Sequence, residues 1–66
     1  MKLRDLRKAK RLTQAELASR VGVTQPYIGA LERGEKKNPS VGVVKCLAKG
    51  LGVSIARVLE ALDEAV

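Results

Sequence analysis

One short pattern occurs three times in this chain: an aliphatic residue, a hydroxyl residue directly after it, and a second aliphatic four positions beyond the hydroxyl. It appears as Leu12, Thr13 and Leu17, as Val23, Thr24 and Ile28, and as Val53, Ser54 and Val58. Each is the chemistry of a helix start. The hydroxyl oxygen accepts from a first-turn N–H that no carbonyl of the helix can reach, and the two aliphatics close over it as a staple. At the first of the three, Glu16 can return a bond to the Thr13 backbone and complete a capping box. A chain that restarts its helices this often has no room for a long coiled coil, and no apolar run approaches the roughly 18 residues of a membrane span.

The stops agree with the starts. Gly22 and Gly52 offer the left-handed conformation that ends helices. Ser40, after Pro39, can cap a further helix whose stripe Val44, Leu47, Ala48 and Leu51 has the helical i, i+3, i+4, i+7 spacing. Pro26 falls in a first turn, where its missing N–H has no intrahelical partner. A first helix from about Lys2 to Lys10 carries Leu3 and Leu6 on its inner stripe, and the longest polar loop runs from Arg33 to Pro39. The reading is all-α: five short helices in one domain, residues 1–66, closing on a core of Leu, Val, Ile and Ala.

Nothing in the sequence supplies a covalent or metal staple for so small a domain. Cys46 is the only cysteine and there is no histidine, so neither an intramolecular disulfide nor a zinc site is expected, and no cofactor. Beside the Val44 and Leu47 stripe, Cys46 is expected to be a buried, inert thiol. It has no base partner, and without a glycine-rich phosphate loop or a carboxylate pair the chain does not read as an enzyme. Met1 to Arg11 is too charged for a signal peptide, which makes a cytoplasmic, membrane-free protein the expectation.

Charge points to the partner. Thirteen Lys and Arg stand against seven Asp and Glu, a net charge of +6, which favours a polyanion. The cations cluster in residues 1–11 and 33–49, on either side of a nearly neutral centre. Two charges also fall on inward stripes. Arg7 follows Leu3 and Leu6, and Glu32 follows Ile28 and Leu31, so an ion pair between the first and third helices is expected.

The second helix, a short turn holding Gly22 and the third helix make the unit Gln14 to Leu31. Small Ala18 lies where two steeply crossing helices must approach, which is helix-turn-helix spacing. The chain resembles the Cro and C1 repressor family of phage and bacterial helix-turn-helix regulators over nearly its whole length. The resemblance rests on Leu12-Thr13-Gln14-Ala15-Glu16-Leu17-Ala18, Val21-Gly22-Val23-Thr24-Gln25, Ile28, Leu31-Glu32-Arg33-Gly34, Pro39-Ser40, Leu47-Ala48 and Leu51-Gly52-Val53-Ser54.

The resemblance implies a compact five-helix bundle of the lambda-repressor-like DNA-binding type, its third helix entering the major groove of double-stranded DNA. Carried over by position, Gln25, Pro26, Tyr27, Gly29 and Ala30 stand where relatives touch bases, with the Tyr27 ring exposed. Gln14 would hold a phosphate at the positive end of the second helix, with Arg7 poised nearby. Arg33, Lys36, Lys37, Asn38 and Ser40 lie in or beside the loop that grips phosphates in that family. Gly29 and Ala30 depart from the pattern, because many relatives carry polar or long side chains there. Base readout would then rest more on Gln25, on methyl contacts and on DNA shape.

The last helix places Ile55, Val58, Leu59, Leu62 and Val66 on one face. That face covers the core, and its surplus is expected to join two copies as a homodimer on a palindromic operator. The leading expectation is a sequence-specific transcriptional regulator, a repressor. The alternative is a module of the antitoxin or coactivator-binding kind, whose main partner is a protein.

Overall fold

The computed structural model describes residues 2–36 and 39–64. Among them are five helices and no strand: α1 (Leu3–Ala9), α2 (Gln14–Val21), α3 (Gln25–Glu32), α4 (Val41–Leu51) and α5 (Ile55–Asp63). None is long and apolar enough to cross a membrane. The described residues fill a near-isotropic volume of 22 × 22 × 21 Å.

The helices begin where the hydroxyl pattern places them. Thr13 Oγ1 accepts from Glu16 N at 3.0 Å, and the Glu16 carboxylate accepts from Thr13 N at 2.9 Å. Thr24, Ser40 and Ser54 accept from the backbone of Tyr27, Val43 and Arg57. At α1 the cap is a carboxylate, since Asp5 Oδ2 accepts from Lys2 N at 3.1 Å. Pro26 occupies the first turn of α3 without breaking it.

Two ends differ in chemistry. After α2, Gly22 turns at φ +83°, a conformation that costs glycine nothing. After α1 the same left-handed position falls to Arg11 at φ +57°. There Arg11 N donates to Lys8 O and Leu12 N to Arg7 O, the two bonds of a Schellman ending, made without a glycine. The sequence offers no glycine after Lys10, so this tight stop goes unmarked.

The core is aliphatic throughout. Leu3, Leu17, Ile28, Leu31, Leu47, Leu51 and Val58 are fully buried, and Leu6, Leu12, Ala18, Val21, Val44, Ala48 and Ala61 complete the cluster. Val23 and Val53, the outer halves of two staples, pack against it. α2 packs on both α3 and α4, α4 on α5, and α1 on α5 and α3. Helix α2 is thus fixed on two sides, which leaves its N-terminus and the outer face of α3 free for a ligand.

Two expectations change here. Cys46 is exposed, because two residues past Val44 is more than half a turn around the helix and carries it off the stripe. Val58 is fully buried, so its side chain belongs to the core and is closed to a partner molecule.

Candidate nucleic-acid interface

The interface is built around one buried carboxylate. Arg7 points inward from α1, only 8% of the residue exposed. Its Nε donates to Glu32 Oε2 at 2.6 Å, Nη2 donates to Glu32 Oε1 at 3.2 Å, and Nη1 donates to the Leu12 carbonyl at 2.8 Å. Glu32 Oε1 also accepts from Gln14 Nε2 at 3.0 Å. The expected pair between the first and third helices is present and carries more than was read from the stripes. Glu32 ties the end of α3 to α1 and to the first residue of α2, and no buried side-chain polar atom among the described residues lacks a partner.

That bonding limits what Arg7 can do. All three guanidinium nitrogens are engaged within the chain, so Arg7 acts by orienting Glu32 and, through it, the Gln14 amide. Gln14 is half-buried and sits at the N-terminus of α2, where the unpaired N–H groups favour an anion.

On α3 the outer face consists of Gln25 and Pro26, both exposed, with half-buried Ala30 below them. Tyr27 departs from expectation. It is half-buried and packs against the core, because Leu31 lies four residues on and gives the ring an aliphatic neighbour on the same side of the helix. Gly29 departs as well, being buried. A Cβ built there would lie 3.0 Å from Arg33 Nη1 and 3.7 Å from both Gln14 Nε2 and Oε1. The position is roofed by a guanidinium and an amide, so in this structure Gly29 is a seat for those two side chains.

Arg33 caps the C-terminus of α3 and is held by a residue that sequence reasoning passed over. Its Nε donates to Glu35 Oε2 at 2.7 Å and Nη2 to Glu35 Oε1 at 3.2 Å, with both side chains largely exposed. The bidentate bond and the opposite charge hold the Glu35 carboxyl below its ordinary range and raise Arg33 above its own. The signal was present, since Glu35 is the one anion in a cationic loop. Lys36 is exposed beside it, and the exposed Ser40 spends its oxygen on the cap of α4. Lys37 and Asn38 lie outside the described residues.

Away from this face, α5 leaves Ile55 and Leu59 exposed, with Leu62 half-buried between them and the core. Val66 lies outside the described residues. No group of His, Cys, Asp or Glu that could hold a metal ion occurs among the described residues.

Comparison with known proteins agrees with this architecture. The family model described as helix-turn-helix matches residues 3–58. An uncharacterized HTH-type transcriptional regulator of Sinorhizobium fredii (strain NBRC 101917 / NGR234) is 44% identical over 59 residues, covering 89% of this chain and 75% of that protein. An uncharacterized HTH-type transcriptional regulator of Methanothermobacter thermautotrophicus is 44% identical over 62 residues, 94% of this chain and 88% of the relative. The immunity repressor protein of Bacillus phage phi105 is 28% identical over 58 residues, 88% of this chain but only 40% of the repressor's length. No solved structure gives a significant match. With the capped α2 and α3, the Gly22 turn and the Arg7 and Glu32 pair all inside the matched span, the chain belongs to the Cro/C1-type helix-turn-helix family of DNA-binding transcriptional regulators.

Proposed function

We propose that this protein is a sequence-specific regulator, acting as a repressor, that lays α3 in the major groove of double-stranded DNA and binds a palindromic operator as a homodimer. The observation that carries the reading is an exposed α3 start, Gln25 and Pro26, on the same helix over whose far end two anion-seeking groups, the Gln14 amide and the Arg33 guanidinium, come together above Gly29. Gln25 reads a base edge, adenine being its natural bidentate partner, while Pro26 and Ala30 supply apolar contact to a thymine methyl. Gln14, Arg33, Lys36, Lys37, Asn38 and Ser40 hold phosphates, with Arg7 orienting Gln14 from behind. Residues 1–66 act as one cytoplasmic domain, and Ile55, Leu59 and Leu62 of α5 join the two copies. The name of the phage relative, an immunity repressor, supports repression as the mode.

Selection from a randomised duplex pool at near-physiological salt tests the reading. A palindrome with half-sites about 10 base pairs apart is expected. Substitution of Gln25 by Ala then relaxes preference at one position, while loss of Lys37 weakens all sequences alike. Enrichment of nothing, together with binding that vanishes as salt rises, would refute sequence-specific recognition. The exposed Ile55 and Leu59 favour a second reading, a module whose main partner is a protein of the antitoxin or coactivator kind. Under it, substituting both by Asp abolishes capture of that partner and leaves a DNA-binding monomer.

A further inference from the structure

Glu35 lies two residues beyond Arg33, at the edge of the proposed DNA surface, in a loop whose other charges are positive. Its two oxygens meet the Nε and Nη2 edge of the Arg33 guanidinium at 2.7 and 3.2 Å. Carboxylates and phosphates offer such a fork the same thing, a pair of oxygens in one plane. The edge of Arg33 best shaped to grip a phosphate is therefore already taken. The remaining nitrogen, Nη1, lies over Gly29 close to the Gln14 amide, and makes no hydrogen bond with the described residues. Arg33 and Glu35 together contribute no net charge at a corner where the rest of the loop attracts DNA.

We propose that Glu35 is an internal competitor for DNA phosphate, an affinity-setting residue that occupies the Arg33 fork in the free protein and must yield it on binding. The pair is exposed, so salt and water screen it and it opens at little cost. The competition is with phosphate, which every sequence carries. Glu35 therefore depresses binding to all duplexes alike, and with it the capture of the protein by the excess of non-operator DNA. Gly29 completes the device. With no side chain there, Nη1 has room over Gly29 while Nε and Nη2 reach Glu35, and Nη1 is left beside Gln14 for the incoming phosphate.

The inference rests on Arg33 being a phosphate contact, and the experiment separates the two claims. Wild type, Glu35→Gln, Arg33→Gln and the double variant are titrated by fluorescence anisotropy against a labelled mixed-sequence duplex of about 20 base pairs, over a range of salt. Both positions are exposed, and matched circular dichroism melts establish that the variants are folded. Glu35→Gln is expected to bind about three- to ten-fold tighter near 0.1 M salt, with a salt slope steeper by about one. The gain should vanish when Arg33 is already Gln. A gain that persists without Arg33 would show that Glu35 acts only as a diffuse negative charge and overturns the competition. Tightening that never appears, while Arg33→Gln alone weakens binding, overturns it too and leaves Arg33 as a contact. If Arg33→Gln changes nothing, the phosphate reading of Arg33 itself falls.

Discussion

Replacing Glu32 by Gln tests how much the buried ion pair between α1 and α3 holds the fold together. The side chain keeps its size and loses its charge, so packing is unchanged to first order. In the native chain its carboxylate accepts three hydrogen bonds, from Arg7 Nε, Arg7 Nη2 and Gln14 Nε2. A neutral amide offers one oxygen and turns an NH2 group toward at least one of those donors. Arg7 would be left as a buried cation with no counter-charge, its acceptors reduced to one amide oxygen and the Leu12 carbonyl. Removing one partner of a buried pair costs about 3–5 kcal/mol. Because the two side chains retain 10% and 5% exposure, the low end, about 3 kcal/mol, is the appropriate figure. A chain of this length has a total stability of roughly 3–10 kcal/mol, so the substitution removes a third or more of it.

Urea denaturation followed by far-ultraviolet circular dichroism reads this directly. With a slope of about 1 kcal/mol per molar urea, the midpoint should fall by about 3 M, or as far as leaves the variant partly unfolded in buffer. The double replacement Arg7→Met with Glu32→Leu supplies the control. It removes both charges and fills similar volume, and most of the loss should return, less what Gln14 and the Leu12 carbonyl forfeit as partners. A midpoint for Glu32→Gln within about 0.5 M of wild type would refute the argument, since that is too small for an unpaired buried cation. A double variant as unstable as the single would locate the cost in shape and not in charge.

Three further outcomes follow from the backbone and the caps. Gly29→Ala should stabilise α3 by about 0.5–1 kcal/mol in thermal melts, because the atom a methyl would crowd, Arg33 Nη1 at 3.0 Å, ends a long exposed side chain that can swing away; a loss would show the guanidinium is held more firmly than that. Arg11→Gly should raise the melting temperature, the strain of a left-handed residue at φ +57° being worth up to about 1 kcal/mol. The Glu16 carboxyl is held below the ordinary range by hydrogen bonds from the Thr13 backbone and then the Thr13 hydroxyl. Because the folded value is the lower one, its contribution is complete above the ordinary glutamate value and is lost as pH falls through the folded value. Melts of Glu16→Gln against wild type should therefore converge in acid; a gap that stays constant would contradict the assignment.

The helix starts and the core stripes were legible because each is decided locally, by a hydroxyl, an aliphatic four residues on and a 3.6-residue period. The charges on the inward stripes were legible for the same reason, since Arg7 and Glu32 stand where an aliphatic was due. What escaped was in part local geometry and in part how helices lie across one another. Tyr27 reads as outward when judged beside Ile28, yet Leu31 four residues on gives the ring an aliphatic neighbour and it packs half-buried against the core. Cys46 reads as inward beside Val44 and Leu47, yet two residues of helix turn it to solvent. The hydrogen bond from Gln14 to Glu32 joins the start of α2 to the end of α3, a contact that no spacing in the sequence encodes. The Arg33 and Glu35 fork is local, but its meaning appears only with Gly29 beneath the guanidinium and Gln14 beside it.

These contacts link stability to recognition. Glu32 Oε1 accepts both from the Arg7 guanidinium of α1 and from the Gln14 amide proposed to meet a phosphate. The same carboxylate therefore neutralises a buried charge and fixes the orientation of the Gln14 amide, which under the proposed function is set before DNA arrives. An amide held in this way spends little rotamer entropy when it meets a phosphate, whereas an unanchored glutamine would give up part of its gain to ordering. Arg33 is anchored too, but by an exposed carboxylate that a phosphate can displace. The two proposed phosphate contacts thus differ in kind: Gln14 of α2 is set by a buried network that DNA would leave intact, and Arg33 at the end of α3 by a surface contact that DNA would have to replace. Disrupting the first should weaken folding and binding together. Neutralising Glu35 in the second should change binding alone, and in the direction of greater affinity.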